Sequence, residues 1–520
     1  MPNPSPSPSP IGQPDYDLAI IGGGINGCGI ARDAAGRGLK VLLIEQDDLA
    51  SATSSWSSKL IHGGLRYLEQ FEFRLVREAL QEREVLLKIA PHIIHPLGFI
   101  LPHDAHMRPA WMVRIGLWLY DHLGGAISLP GSRGMRFPDH VYSAGLKSSV
   151  RRGFFYSDAR VDDARLTVLN AVSASEHGAE IKVRTRVVAG KRVQGNWRLE
   201  LQNVDTRERH EVSACGIVNA AGPWVKQVLD DALGISSDAR VKLVKGSHIV
   251  VPRIHDHDHA YILQNDDKRV VFIIPYEGRY SLIGTTDLDV NSLEGTREIS
   301  REEVTYLLHA ANRFLETPLR ESDIVWSYAG VRPLYDDGSD NPSKTTRDYV
   351  LKVDHADGRA PLLSIFGGKI TTYRRLAEHA LQELARFYPQ MKVAWTGREA
   401  LPGGDIESLE QFSKLLMQRY AALPPNYLHA LAARHGSRAM RVLDGVNTID
   451  DLGQQFGSGA VLLSEREIDF CIREEWAHKP DDILWRRTKC GLPMDEAERG
   501  RAAVFIAQRI RALSGWKPPV

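Results

Sequence analysis

Apolar positions fall into two textures along this chain, short β-branched runs in the first four-fifths and helical stripes after them. Tyr16-Asp-Leu-Ala-Ile-Ile21 and Lys40-Val-Leu-Leu-Ile-Glu45 are brief apolar runs of the kind a buried parallel strand needs. The stretch 28–36 between them, with small residues on one side, reads as a helix. Residues 211–222 predict another strand, ending in small residues suited to a backbone that passes close to a cofactor. Residues 242–253, 269–276 and 280–286 are β-branched and predict a sheet. After Leu401-Pro-Gly-Gly404, amphipathic stretches at 409–420, 427–435 and 465–475 predict a separate helical C-terminal domain. The opening Met1-Pro-Asn-Pro-Ser-Pro-Ser-Pro-Ser-Pro10 has nothing to bury, and 1–14 read as a disordered tail.

The first strand runs straight into Gly22-Gly-Gly-Ile-Asn-Gly27, a G-x-G-x-x-G, and the second ends in an acid, Glu45. Alone the glycines would fit any tight turn between strands. With strand, helix and acid in register they predict a dinucleotide site. Gly22 permits the turn, Gly24 lets a pyrophosphate approach the backbone, and Gly27 lets helix and strand pack closely. The helix N-terminus offers unpaired N–H groups and a positive dipole end, and Glu45 an acceptor for a ribose. The loop Ser51-Ala-Thr-Ser-Ser-Trp-Ser-Ser-Lys-Leu-Ile-His-Gly-Gly-Leu-Arg-Tyr67 concentrates hydroxyls and glycines. A nicotinamide has no obvious use for such a loop, whereas the polar edge of a buried flavin does.

Composition narrows the class. With 520 residues, 43% hydrophobic and 25% charged, the chain is long enough for two or three globular domains with a large core. Lys plus Arg and Asp plus Glu both number 65, which argues against wholesale nucleic-acid binding. Cys28, Cys215, Cys471 and Cys490 lie far apart with no C-x-x-C pair, so neither a disulfide framework, a metal site nor an iron–sulfur set is legible, and a reducing cytoplasm fits. The N-terminus lacks the basic start and apolar core of a secretory signal. No run reaches the ~18–20 apolar residues of a spanning helix, so any membrane contact is expected on one face.

Gly22–Gly27, Ser57-Ser-Lys-Leu-Ile-His-Gly-Gly-Leu-Arg-Tyr-Leu68 and Asp162-Asp-Ala-Arg-Leu166 together resemble the FAD-dependent glycerol-3-phosphate dehydrogenases. So do Asn219-Ala-Ala-Gly-Pro-Trp224, Lys245-Gly-Ser-His248, Gly284-Thr-Thr-Asp287, Gly330-Val-Arg-Pro-Leu334, Thr346-Arg-Asp-Tyr349 and Phe366-Gly-Gly-Lys-Ile-Thr-Thr-Tyr373. The resemblance implies an α/β fold like that of the D-amino-acid oxidases: a Rossmann-like FAD-binding domain, an inserted mixed-sheet substrate domain and a helical C-terminal domain. It places the oxidoreductase module at 15–400, with FAD-binding segments near 15–85, 155–240 and 345–390. Substrate-sheet segments fall near 86–154 and 241–344, and the helical part at 401–520.

It also implies a non-covalent FAD, and no metal. The positions assigned to the cofactor are Gly22, Gly23, Gly24, Ile25, Asn26 and Gly27, then Glu45 and Gln46 at the adenosine. Thr53, Ser54, Ser55, Ser58, Lys59, Leu60, His62, Gly63 and Gly64 come from the hydroxyl-rich loop. Val187 stands on a strand resembling the one whose backbone meets the adenine; Ala220, Ala221, Gly222 and Trp224 follow the 211–222 strand. Gly330, Arg332, Gly367, Gly368, Lys369, Ile370, Thr371 and Thr372 complete the set, the last few opening a helix over 371–387 whose N-terminus faces the flavin pyrimidine.

Oxidising sn-glycerol-3-phosphate to dihydroxyacetone phosphate needs a base for the O–H proton, a hydride acceptor at flavin N5, and fixed positive charge for the phosphate. Arg332, read as a loop arginine pinned between glycine and proline, leads the cations, with Arg347, Arg66 and Lys369 beside it and the Tyr67 hydroxyl in support. An ion pair on the surface is the alternative for each. Among 19 histidines, His248 is the favoured base and His62 the second candidate, more suited to shaping the flavin loop.

The resemblance further implies ubiquinone or another membrane quinone as electron acceptor, peripheral attachment to the cytoplasmic membrane surface, and room for a homodimer. Residues 108–122, a run rich in Trp and Leu with Arg108 and Arg114 available to anionic head groups, read either as an interfacial helix or as a core helix of the substrate domain. Trp485-Arg-Arg-Thr-Lys489 reads as a second basic-aromatic stretch or as a solvated face. The rivals are an oxygen-dependent oxidase of the same fold and a catalytically silent flavoprotein.

Overall fold

The computed structural model describes residues 14–513 apart from 104–107, 138–140, 238, 268 and 337–347. Residues 1–13 of the expected tail and Arg347 therefore lie outside the described residues.

Two sheets carry the first 400 residues. The first has eight strands in the path Val350–Ala356, Arg359–Phe366, Arg209–Asn219, Tyr16–Ile21, Val41–Ile44 and Glu180–Lys182, with Asn196–Asn203 and Thr185–Val193 added beside Arg209–Asn219. Tyr16–Ile21 is parallel to both neighbours, with Ile21 opposite Ile44 on one side and Asn219 on the other, so three strands end at one level. All four residues of Val41–Ile44 and the last four of Tyr16–Ile21 are buried, the apolar-through pattern of a strand covered on both faces. A ligand crevice is expected beyond such carboxyl ends.

The helix Ile25–Gly36 covers this sheet because its small residues let it lie close. A Cβ on Gly27 would sit 1.9 Å from the Gly22 carbonyl oxygen, and one on Gly36 would enter the Trp395 ring. The second sheet has ten strands; near one end of it Arg240–Pro252 pairs antiparallel with Tyr280–Gly284 on one edge and Trp326–Asp336 on the other. The expected strands at 242–253, 269–276 and 280–286 all lie here, as Arg240–Pro252, Val270–Tyr276 and Tyr280–Gly284.

The C-terminal part is helical, with Leu409–Arg419, Pro425–His435, Glu465–Glu474 and Glu496–Leu513 packed round two apolar clusters drawn entirely from residues 409–510. A two-stranded ribbon, Gln455–Phe456 with Leu463–Ser464, interrupts it. Trp485–Lys489 departs from expectation. It is neither a solvated nor a membrane-facing stretch, because Arg487 and Lys489 are buried against carboxylates of the first 170 residues. The segment 108–122 forms the helix Ala110–Leu123. Leu117 and Tyr120 point inward, whereas Trp111, Met112, Ile115 and Trp118 are 41–63% exposed, which sets aside the core-helix alternative.

Gly27→Ala is expected to lower stability by about 1–3 kcal/mol in urea titrations, since backbone cannot yield as a side-chain end does. Gly116→Ala, where a Cβ meets nothing within 4 Å, is the matched control and is expected to gain about 0.5–1 kcal/mol from helix propensity.

Candidate active site

A cleft of about 1130 Å³ runs from the carboxyl ends of the parallel strands to the face of the second sheet. Its first wall is the glycine turn. Gly22 has φ +114°, and its added Cβ would lie 2.6 Å from the Ala220 carbonyl, so main chain meets main chain there. The helix that follows has no side-chain cap and no acid in its first turn. The Ile25 N–H donates to Ser54 Oγ at 2.9 Å. Glu45 accepts from the Gly23 and Asp47 N–H groups, each at 2.7 Å, and burial pushes its carboxyl up to about 7 against those bonds, with Asp47 and Asp48 adding to the rise.

The hydroxyl-rich loop closes the middle of the cleft. Thr53 Oγ1 donates to the Val331 carbonyl at 2.7 Å, joining the loop to the strand Trp326–Asp336. Ser58 Oγ lies 2.9 Å from His248 Nε2. His248 stands on Arg240–Pro252, buried, stacked on Tyr328 at 4.8 Å, with Nδ1 unpartnered. Burial, then the positive charges of Lys59 and Arg332, pull its pKa down to about 3, so the imidazole is neutral at physiological pH. His62 is likewise lowered by burial, and its N–H donates to Thr371 Oγ1 at 3.3 Å.

Two of the expected cations face the cleft. Arg332 is on a strand, not the loop expected for it; β pairing with Val244 fixes its backbone, and its guanidinium meets Asp287 Oδ1 at 3.0 Å and the Thr286 carbonyl at 3.3 Å. Lys369 Nζ sits 4.0 Å over the Tyr67 ring. Past Lys369, a 3-10 turn Ile370–Thr372 opens the helix Tyr373–Leu384, close to the predicted 371–387.

Besides these, Gly23, Gly24, Asn26, Gln46, Leu60, Gly63, Val187, Ala221, Gly222, Trp224, Gly330, Gly367, Gly368, Ile370 and Thr371 line the cleft. Gly27, Ser55, Lys59, Gly64, Thr372 and Arg66 do not. Gly27 serves helix packing, Ser55 and Thr372 are buried, and Gly64 backs the Tyr67 ring. Lys59 is turned into the protein by a 2.8 Å ion pair with Asp163. Lining residues that the sequence reading passed over include Trp56, Ser57, Lys242, Gly246, Asp287 and Arg297. Strand alternation was the available signal for two of them, since Lys242, Val244, Gly246 and His248 fall on one face of a single strand.

The residues suit a dinucleotide. A Cβ on Gly24 would meet only Ser54 Oγ, one on Gly222 nothing within 4 Å, and the buried Asn26 Oδ1 has no partner. Open backbone at an uncapped helix N-terminus, with an acid one strand away, is the layout of a dinucleotide-dependent oxidoreductase. Comparison with known proteins fixes the class. Residues 17–374 match the family model described as FAD dependent oxidoreductase, and 394–518 that of the C-terminal domain of alpha-glycerophosphate oxidase. The chain is 52% identical to a glycerol-3-phosphate dehydrogenase of Pseudomonas aeruginosa, over 94% of this chain and 95% of that one. It is 50% identical to the aerobic glycerol-3-phosphate dehydrogenase of Escherichia coli (95% and 97%) and to a D-erythritol 1-phosphate dehydrogenase of Brucella abortus (94% and 97%). A glycerol-3-phosphate dehydrogenase structure from Bacillus halodurans, complexed with FAD, superposes with a TM-score of 0.71 at 25% identity, covering 95% of this chain and 94% of that one. The chain belongs to the FAD-dependent oxidoreductase family, in the branch of the glycerol-3-phosphate dehydrogenases, and FAD is its cofactor.

Glu45 gives this site a pH dependence. Protonation near 7 removes the negative charge and turns one carboxylate oxygen from acceptor to donor, so FAD affinity is expected to fall as pH drops from 8 to 6 in flavin-fluorescence titrations of the apoprotein. A Glu45→Gln chain is expected to bind more weakly at pH 8 and to show a flat profile.

Proposed function

We propose that this chain oxidises sn-glycerol-3-phosphate to dihydroxyacetone phosphate and delivers the two electrons to a membrane quinone. The observation that carries the reading is a buried, neutral histidine, His248, on the same wall of the cleft as the Arg332 guanidinium. The names of the most similar relatives support the substrate.

When bound, FAD supplies the hydride acceptor at N5. The glycine turn and the Ile25 helix N-terminus would hold its pyrophosphate, Glu45 the ribose, and Gly368 to Thr371 the pyrimidine edge. Arg332 and Lys369 bind the phosphate dianion, with Tyr67 under the lysine. His248 takes the proton of the secondary hydroxyl as that carbon gives up hydride, leaving a C=O. Arg66, next to the cleft-lining Tyr67, is a further cation for the phosphate.

A second reading has one specific support, the equally similar relative named for D-erythritol 1-phosphate. Anaerobic mixing with each substrate decides. Bleaching of the flavin band by sn-glycerol-3-phosphate, with none by glycerol, lactate or D-alanine, is expected; faster bleaching by the erythritol phosphate moves the assignment to longer polyol phosphates. Arg332→Ala is expected to raise KM about 10- to 100-fold, the worth of hydrogen bonds to a charged group. His248→Asn is expected to lower kcat about 10²- to 10⁴-fold. Stoichiometric hydrogen peroxide in place of quinol would overturn the acceptor.

Delivery to a quinone needs a place at the bilayer, and the outward face of Ala110–Leu123 is suited to it, with Phe71 beside it 78% exposed and Arg108 and Arg114 on the rim. No helix among the described residues is long and apolar enough to cross a membrane. A Trp111→Ser, Trp118→Ser double variant is expected to leave anionic vesicles in a flotation assay while keeping its turnover with a soluble quinone analogue.

A further inference from the structure

The role of the C-terminal helical part is not legible from its own residues, but its contacts give it one. Arg487 bonds both carboxylate oxygens of Asp48, at 2.6 and 2.8 Å, and Arg486 Nε adds a third bond at 2.6 Å. Asp48 is 3% exposed and lies between Glu45 and the turn Thr53–Ser55. The stretch it belongs to closes on the glycine fingerprint: the Ala50 N–H donates to the Gly23 carbonyl at 3.1 Å, and Leu49 packs where a Gly23 Cβ would be.

Two further attachments come from the same short segment. Lys489 pairs with Asp162, and the adjacent Asp163 holds Lys59 and the Ser57 N–H and hydroxyl, the loop whose Ser58 meets His248. Trp485 stacks on Trp326 at 5.0 Å, on the strand that carries Arg332. One turn, Asp482–Arg487, and the residues just after it therefore reach the fingerprint loop, the hydroxyl-rich loop and the second sheet.

We propose that this C-terminal turn is a cofactor-retaining clamp, in which Arg487 and Lys489 hold the Asp48 and Asp162 loops against the FAD cleft. The proposal rests on the reading that FAD lies in that cleft. Its physical basis is the penalty for a buried, unpaired carboxylate. Without Arg487, Asp48 keeps only the bond from Arg486 and loses the two-pronged grip of the guanidinium, and its slackened loop draws Leu49 and Ala50 away from Gly23. Ile483 and Leu484 of the turn, with Trp485 beside them, anchor it in the second apolar cluster, whereas the charged groups Arg487 and Lys489 belong to neither cluster and make the polar joint to the cleft loops.

The test uses full-length Arg487→Gln, Arg487→Lys and Lys489→Gln chains, stripped of flavin and titrated with FAD by fluorescence, with apoprotein unfolding midpoints measured in parallel. At least tenfold weaker FAD binding is expected for Arg487→Gln, with partial rescue by Arg487→Lys, which keeps the charge and loses the fork. The apoprotein midpoints are expected to stay within about 2 °C of the parent. Unchanged FAD affinity in all three overturns the clamp. So does weaker binding that merely follows a matching fall in the midpoints, the mark of general loosening. If Arg487→Gln does not fold, Arg486→Gln, at a side chain 14% exposed, reads the same carboxylate under the same criteria. Gly24→Val separates the two layers: normal FAD binding there sinks the cleft reading itself, whereas lost binding there beside intact C-terminal variants sinks the clamp alone.

Discussion

There is no room for a Cβ where the strand Tyr16–Ile21 turns into the helix Ile25–Gly36, and the cleft is built outward from that main-chain contact. Gly22 approaches Ala220, and Gly27 approaches the Gly22 carbonyl, closer than any side chain allows. The helix is thereby set against three parallel strand ends, its first N–H taken by Ser54 and its glycine N-cap opening onto the space between them. What surrounds it is small or polar for the same reason: Ala221 and Gly222 on one side, Ser54 bonded to the first helical N–H on another. Such an N-terminus calls for an anion, and the polar loops nearby are tied back, leaving it open to one.

The second sheet is registered to the first by hydrogen bonds at and just behind the cleft wall. Thr53 reaches Val331 across the two sheets, and the Tyr328 hydroxyl reaches the Ser57 carbonyl. Behind the cleft wall, Glu303 takes hydrogen bonds from Lys245, Ser247 and Thr286, and so joins the His248 strand to the loop against which Arg332 rests. Burying that carboxylate is tolerable because Lys245 neutralises it and two hydroxyls solvate it. These ties let a strand-borne imidazole and a strand-borne guanidinium keep one spacing, which loops alone would hold less well.

What could be read in advance was what is local. The strand, three glycines, helix and acid of the fingerprint lie within thirty residues, and their periods and turn chemistry are visible there. The helix opening at Ile370 was legible likewise, from Gly-Gly before an amphipathic run. Lys59 misled because its loop is a cofactor loop; nothing near it reveals that Asp163, 104 positions on, turns it inward. Arg332 was expected on a loop because Gly330 and Pro333 flank it, yet eleven residue pairs with Arg240–Pro252 override that local signal. Trp485–Lys489 misled most. Five residues rich in charge resemble a solvated face, and what buries them is carboxylates far off in the chain, Asp48, 439 positions from Arg487, and Asp162 at Lys489. Ion pairs of this separation leave no periodicity to read.

The electrostatics of His248 suggest how recognition and chemistry are joined in the proposed reaction. A base near pKa 3 is a weak one; burial lowers it most, and the two cations that add to the fall, Lys59 and Arg332, differ in their fate. Lys59 is already matched by Asp163, whereas Arg332 shares Asp287 at a more exposed pair, where a dianion can compete for its guanidinium. In the proposed reaction a bound phosphate would cancel part of the positive field at the imidazole and so relieve the smaller part of the fall, the part that burial does not cause. A polyol without the phosphate meets the histidine in its weak state. In that proposed reaction, a phosphate would help proton transfer as well as binding, through the same arginine.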